Sequence, residues 1–435
     1  MKNYRHYFWI IGALTFSFAV IIVGILISSP NSLSVSANSP TTPSLSQHES
    51  VRKGRLCAQN GVSIENNIGG SGDDAVSSAL SFDDKIYLFG NTNSIDFDFA
   101  GADGRGFVSV LTSDLTTEKT VFIGSGETVC KAVLGEKGFT VCFENNGNIT
   151  LRQYTHSLEL IRSTRADNIS GLSFADLRYI DGKYYLISHQ SISLNRRRIL
   201  FQAFDDTLSL CYERIISSPF SLEYVDFFAI GNEFKLFMNC SSDLGSHLGV
   251  AKFNDSLSVS TTFVDTESDY RASSITPNQN GFVIAVSHTD GKVGLLSIDS
   301  NGNYLDFLHI TDSQNAEIKF GGGIYYFFSW SGNSGQTFAI SHDFKTVKTL
   351  PHAVGTTSFC DFIGLEYGAL FCVSNAGKAV IIGSDNSFFA TLTTCSNAKL
   401  IRLGNSFYCA YSSNEVYSSR HHFGKNDVLI VKLDI

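Results

Sequence analysis

Two stretches of the chain, "IGGSGDDAVSSAL" from Ile68 and "IGSGETVCKAVL" from Ile123, write the same turn and small-residue strand about one supersecondary unit apart. The pattern continues. Eight short aromatic and β-branched strands stack on one another: "KIYLFGNT" at Lys85, "FTVCFENN" at Phe139, "KYYLISHQ" at Lys183, "EFKLFMNC" at Glu233, "FVIAVSHT" at Phe282, "IYYFFSWS" at Ile324, "ALFCVSNA" at Ala369 and "SFYCAYSS" at Ser406. They recur about every 46 residues, and a repeat of that length buries its apolar faces only by stacking on its neighbours. A second column keeps step in the turn after the next strand: Asp114, His156, Asp206, Asp255, Asp299, Asp343, Asp385 and Asp434. All but His156 are Asp, whose side chain bonds its own backbone and starts a tight hairpin turn.

Four strands per unit, with alternating patterning and hairpin turns, is the signature of a propeller blade. The expected fold is therefore an all-β, eight-bladed β-propeller of four-stranded antiparallel blades. Its ends support the same register. The last unit stops after its third strand, "DVLIVKLDI" at Asp427, and the first is preceded by an orphan strand around Val62 to Gly70. The orphan is expected to supply the outer strand of the last blade and close the ring. Usage agrees: 35 Phe, 17 Tyr and 37 Gly stand against 6 Pro and 2 Met.

The motifs "IGGSGDD" at Ile68, "KIYLFGNTNSIDFDFAGADGRGFVSVL" at Lys85, "SIDSNGNY" at Ser297 and "DVLIVKLDI" at Asp427 resemble a bacterial beta-propeller repeat family marked by a Gly-Gly-Ser-x-Asp-Asp turn. The match is good in the first and last units and moderate around Asp299. The resemblance implies an exported propeller and assigns no activity.

Ahead of the repeats, Phe8 to Ile27 is an uncharged apolar run long enough to cross a hydrocarbon core of roughly 30 Å as a helix. Lys2 and Arg5 precede it, so the positive-inside rule leaves the N-terminus in the cytoplasm and exports the rest. A cleaved signal peptide ending at "VSA", Val35 to Ala37, is the competing reading; the length of the run favours an uncleaved anchor. The expected organisation is a cytoplasmic tip and transmembrane anchor over 1–27, a Ser/Pro/Asn-rich flexible stalk over 28–56 and the propeller over 57–435, outside the cell membrane. Without Lys2 and Arg5 the chain holds 30 Lys and Arg against 41 Asp and Glu, a net charge of −11 that argues against nucleic acid as partner.

Nine cysteines in an exported chain raise the question of disulfides. Cys130 and Cys142 straddle one inner turn, Cys360 and Cys372 another. At the fourth position of the stacked strands stand Leu88, Cys142, Leu186, Leu236, Ala285, Phe327, Cys372 and Cys409, so cysteine takes the place of a core hydrophobe, and buried thiols are the favoured reading over one or two disulfides. The pair His421 and His422 and the basic run Asn195 to Arg198 read as solvated loops.

Carboxylates are the strongest candidates for chemistry because a propeller collects its interblade connections on one face, around the central channel. Those connections hold Asp73, Asp74, Glu127, Asp167, Glu223, Asp265, Glu267, Asp269, Asp312 and Glu317. The ligand-binding candidates are Asp73, Asp74, Glu127, Asp167, Glu223, Asp269 and Glu317, an acidic rim suited to a cation or a basic partner. Asp96, Asp98 and Asp103 on the neighbouring loop are candidate oxygen ligands for Ca²⁺, although the spacing lacks an EF-hand pattern and turn chemistry explains them equally well. No organic cofactor is expected. The sequence shows no G-x-S-x-G, H-E-x-x-H or P-loop motif. The expected function is a binding or protein-interaction module engaging a protein or a surface glycan. The alternatives are a carbohydrate-active hydrolase or lyase with carboxylates near the channel and a subunit of an envelope complex.

Overall fold

The computed structural model describes residues 55–435, apart from residues 60, 102–105, 125, 167–170, 232, 243–244, 255–258, 265–268, 333, 351–355, 367, 376–377, 384–388, 395 and 415–425. The anchor segment Phe8 to Ile27 lies outside the described residues, as do Asp103, Asp167, Asp255, Asp265, Glu267, Asp385, His421 and His422. No helix among the described residues is long and apolar enough to cross a membrane.

Seven successive sheets of four antiparallel strands, each in chain order, form blades 1 to 7. Their first strands are Asp74–Phe82, Thr128–Gly135, Leu172–Ile180, Ser221–Ile230, Tyr270–Asn278, Asn315–Gly321 and Thr356–Leu365. First strands of successive blades touch one another and so line the centre of the ring. The eighth blade is built from both ends of the chain: Ser396–Leu403, Ser406–Ser413, Asp427–Leu433, then Val62–Ile68 and Arg55–Gln59. The orphan strand therefore pairs as expected, from Val62 opposite Leu433 to Ile68 opposite Val428. The extra outer strand, Arg55–Gln59, has no counterpart in the other blades among the described residues.

Eight apolar clusters hold the ring, one at each junction between blades. Because side chains alternate along a strand, Leu88 packs toward blade 8 and Phe89 toward blade 2. This corrects the stacked column. Gly138, Gly281 and Gly368 open the second strands of blades 2, 5 and 7, so Cys142, Ala285 and Cys372 occupy the level of Phe89 rather than that of Leu88. A one-residue slip puts a side chain on the opposite face. Cys142, Cys372 and Cys409 are nevertheless fully buried in place of hydrophobes, as read.

The aspartate column is corrected in the same way. The five outer turns among the described residues start at Thr112, Thr155, Asp205, Asp299 and Ser341, whose side-chain oxygens accept a backbone N–H from across the turn, respectively from Thr116, Glu159, Ser209, Asn303 and Thr346. The turn requires an oxygen at its first position, which Thr, Asp and Ser all provide. Asp114 and Asp343 assist from two residues further on, and Asp206 instead pairs with Lys137. The fourth residue takes a left-handed conformation, at φ 62, 70 and 51° for Leu115, Leu158 and Leu208. Their side chains are buried, which offsets the backbone cost.

A chain shortened to begin at Ser71 leaves the edge of Asp427–Leu433 unpaired. Its unfolding midpoint by calorimetry is expected to fall by at least about 10 °C, and a peptide spanning residues 55–70 is expected to restore it.

Candidate functional site

The Gly-Gly-Ser-x-Asp-Asp turn sits where the closing strand Val62–Ile68 passes into blade 1. Four consecutive backbone N–H groups point at side-chain oxygens: Gly69 to Asp98 (3.1 Å), Gly70 to Asp74 (2.9 Å), Ser71 to Asp96 (2.7 Å) and Gly72 to Ser94 (2.9 Å). A Cβ at Gly69 would collide with the Asp427 carboxylate, and one at Gly70 with Ser94. The motif is thus a run of backbone donors taken up by three carboxylates and one hydroxyl of the protein itself. Thr92 and Ser94 also donate to Asp74, yet burial dominates and pushes its carboxyl up to about 6. Asp73 accepts from Asn426, on the far side of the ring closure. No group of three or more His, Cys, Asp or Glu side chains among the described residues is placed to hold a metal ion.

The inner strands carry a second arrangement. In every blade but the sixth, the first strand bulges by one residue against the second at the same depth, and in blade 7 a further bulge lies between Thr356 and Ser358. The residue after the bulge then stands at one common level: Ser78, Lys131, Asp176, Asp226, Ser274, Asp361 and Lys399, with Glu317 at that level in unbulged blade 6. Bulges re-aim side chains, and here they gather a belt around the centre of the ring. Lys131 pairs with Asp176 at 2.7 Å, and Arg178 bridges Asp176 and Asp226. Tyr224 donates to Asp176 at 2.9 Å. Lys319 pairs with Glu317 at 2.6 Å.

Four carboxylates thus meet four cations, Lys131, Arg178, Lys319 and Lys399, and the belt is electrically balanced. Lys131, Arg178 and Lys319 keep 39, 30 and 34% of their side-chain surface open, so water reaches them inside the ring. Burial raises Asp176, but Lys131 and Arg178 outweigh it and hold this carboxyl below its usual range. For Asp361 burial prevails over Lys399 and Lys319, and the carboxyl is raised. Burial opposes the charge of Lys319, while Glu317 beside it, with Asp226 and Asp361, overrides burial and keeps it protonated.

A third level ties blade to blade. The seventh residue of the second strand accepts the backbone N–H just before the next blade's bulge: Asn91 from Val129, Glu144 from Phe174, His189 from Tyr224, Asn239 from Ala272 and Ser412 from Val76. Burial, and then Arg197, keep His189 below the usual histidine range, consistent with a neutral ring accepting through Nε2. This column was open to the sequence, since each residue is polar at a fixed place in an apolar strand.

Of the rim candidates, the structure brings Asp73 and Asp74 together at the closure and places Glu317 in the belt. Glu127 pairs with Arg152 at 2.6 Å and Glu223 with Arg271 at 2.9 Å. Asp269 is half-buried beside Gly245, and Asp312 faces His309. Sequence reading missed Asp176, Asp226, Asp361 and their cations, because they lie inside strands rather than in connections.

No protein-family profile and no curated protein matches the chain. Solved structures do. The Dos1 propeller is 12% identical with a TM-score of 0.52, over 86% of this chain and 95% of that one. One of two prolyl endopeptidases is 10% identical with a TM-score of 0.51, over 79% of this chain and 55% of its own. Prolyl oligopeptidase B from Galerina marginata is 11% identical with a TM-score of 0.50, over 79% of this chain and 56% of its own. This chain spans 59% of the length of a puromycin hydrolase that it also matches. Likeness at such identity establishes the propeller fold alone.

Two pH effects of opposite sign follow. The raised carboxyl of Asp74 stabilises the fold below about pH 4, and that contribution is lost as pH rises through about 6. The lowered His189 stabilises it above the unfolded histidine pKa of about 6.5, and that is lost as pH falls. Urea unfolding of Asp74→Asn is expected to show a smaller loss between pH 4 and 7, and that of His189→Gln, which keeps an acceptor for Tyr224, a smaller loss below pH 6. Arg178→Met, which leaves Asp176 and Asp226 facing each other, is expected to cost about 3 kcal/mol in the same assay.

Proposed function

We propose that the protein is a binding module, anchored through Phe8 to Ile27 and displayed outside the cell membrane, whose top face docks a protein partner. The top face is the one on which each blade's second strand ends and its third begins. One observation carries the reading: among the described residues, the largest exposed apolar side chains of that face sit on two of these connections. In blade 3 the second and third strands, Lys183–Ser193 and Arg196–Phe204, form a long hairpin, with Ile192 48% exposed and Leu194 wholly exposed at its tip. In blade 1, Ile95 is 72% and Phe97 51% exposed. Projecting apolar tips on a rigid ring are the usual anchors of a protein interface.

The exposed Arg196 and Arg197 beside Leu194 indicate the partner's chemistry, an apolar socket flanked by carboxylates. Mostly aliphatic tips favour a protein over a glycan, which stacks on planar rings. The balanced belt serves this reading as a stiffener that holds the loops in place.

A photoreactive amino acid at position 194 of the full-length protein, activated in intact cells, is expected to yield one stoichiometric protein adduct. The purified partner is expected to bind Ile192→Asp/Leu194→Asp at least about tenfold more weakly than the parent. Undiminished binding by that variant, or adducts with glycan alone, would remove the reading.

A further inference from the structure

Of the seven cysteines with described side chains, four form two pairs at the same place in two different blades. In blade 2 the bulge inserts Cys130 between Val129, opposite Phe143, and Lys131, opposite Cys142. In blade 7 it inserts Cys360 between Phe359, opposite Val373, and Asp361, opposite Cys372. The inserted residue of a bulge and the residue it faces share one side of the sheet. Cys130 accordingly packs in the same apolar cluster as Cys142, and Cys360 in the same cluster as Cys372. Within each pair one thiol hydrogen-bonds to the other. Each bulge cysteine thus adjoins in sequence the residue directly opposite its partner, Lys131 opposite Cys142 and Asp361 opposite Cys372.

In the other bulged blades no cysteine stands at either position. The corresponding pairs are Ser77 with Phe89, Ala175 with Ile187, Val225 with Phe237, Ser273 with Ala285 and Ala398 with Ala410. Both positions change together, in the same two blades. We propose that Cys130–Cys142 and Cys360–Cys372 are sites of oxidation, each closing a disulfide across the inner hairpin of its blade.

The oxidant is another disulfide, either small or carried by a protein. One thiolate of the pair attacks it and releases one thiol. The second thiolate of the pair then attacks the mixed disulfide and releases the other thiol, so two S–H bonds and one S–S bond become one new S–S bond and two new thiols. The half-buried Cys130 and Cys360 are the accessible members, while Cys142 and Cys372 are fully buried. Burial, and then the bond to Cys130, push the Cys142 thiol well up. The hydrogen bond with Cys372, and then burial, do the same for Cys360. Thiolate is scarce in the packed ring, so exchange is fast while the blades assemble and slow afterwards.

The test uses the full-length chain, refolded from the reduced state with oxidised and reduced glutathione, then denatured and alkylated without reductant. Cleavage at Glu136 and Glu366 separates the members of each pair. Linked peptides joining Cys130 to Cys142 and Cys360 to Cys372, with Cys211, Cys240 and Cys409 alkylated, are the expected result. Already folded reduced protein is expected to form the same links at least about tenfold more slowly.

Alkylation of all four thiols after refolding, or a link from Cys372 to Cys409 in the neighbouring blade, would overturn the proposal. Cys130→Ser/Cys360→Ser guards against a folding defect, since Ser77 and Ser273 occupy the same bulge in blades 1 and 5. In that variant Cys142 and Cys372 alkylate fully and reductant no longer lowers the unfolding temperature. An equal lowering in parent and variant would also overturn it.

Discussion

The ring exists because its two ends pair. Val62–Ile68 adds to Asp427–Leu433, and that ladder converts an open stack of blades into a closed one in which each has two neighbours. A stack left open would expose the inner strand edges and the apolar faces of its terminal blades. The same junction explains the local chemistry of the motif at Ile68. The backbone turns sharply there between the fourth strand of blade 8 and the innermost strand of blade 1, and its N–H groups leave the sheet together. Asp74, Asp96, Asp98 and Ser94 receive them. The carboxylates that a sequence reader assigns to a ligand are already occupied by the chain.

Between blades, apolar and polar forces divide the work by depth. The eight clusters supply area, and area has no direction. Direction comes from hydrogen bonds that cross the junctions at two levels. One is the acceptor column of Asn91, Glu144, His189, Asn239 and Ser412. The other is the belt, where Ser78, Ser274 and Asp361 accept the N–H groups of Ala132, Ile318 and Leu400 in the next blade. A bulge frees backbone groups from the ladder, and a buried free N–H is costly. The bulge and the acceptors are therefore parts of one device.

Blade number, strand order and the shared eighth blade were legible in the sequence, because aromatic strands and capped turns recur with a period that only stacking satisfies. Register was less so. Cys142 and Leu88 look equivalent in a stack of letters, yet Gly138 opens its strand one place earlier and moves Cys142 to the opposite face. The bulge has no residue signature: Ser77, Cys130, Ala175, Val225, Ser273 and Cys360 share no chemistry, so the level they create was hidden. Acidic residues in connections attract attention, while Asp176 and Asp226 sit within strands and each draws a partner from a neighbouring blade, Lys131 and Arg178 respectively. Salt bridges of that kind become visible only once the ring is closed.

The fifth strand of the closing blade gives the molecule a mechanical asymmetry. Any pull on the chain ahead of Arg55 enters through Arg55–Gln59, which is held to Val62–Ile68 by a short antiparallel ladder starting at Arg55 opposite Glu65. Loaded from that end, the ladder opens one rung at a time, a geometry that yields at low force. Only after it has peeled does tension reach Val62 opposite Leu433 and the closure itself. The outermost strand thus behaves as a mechanical fuse, extending before load can open the ring.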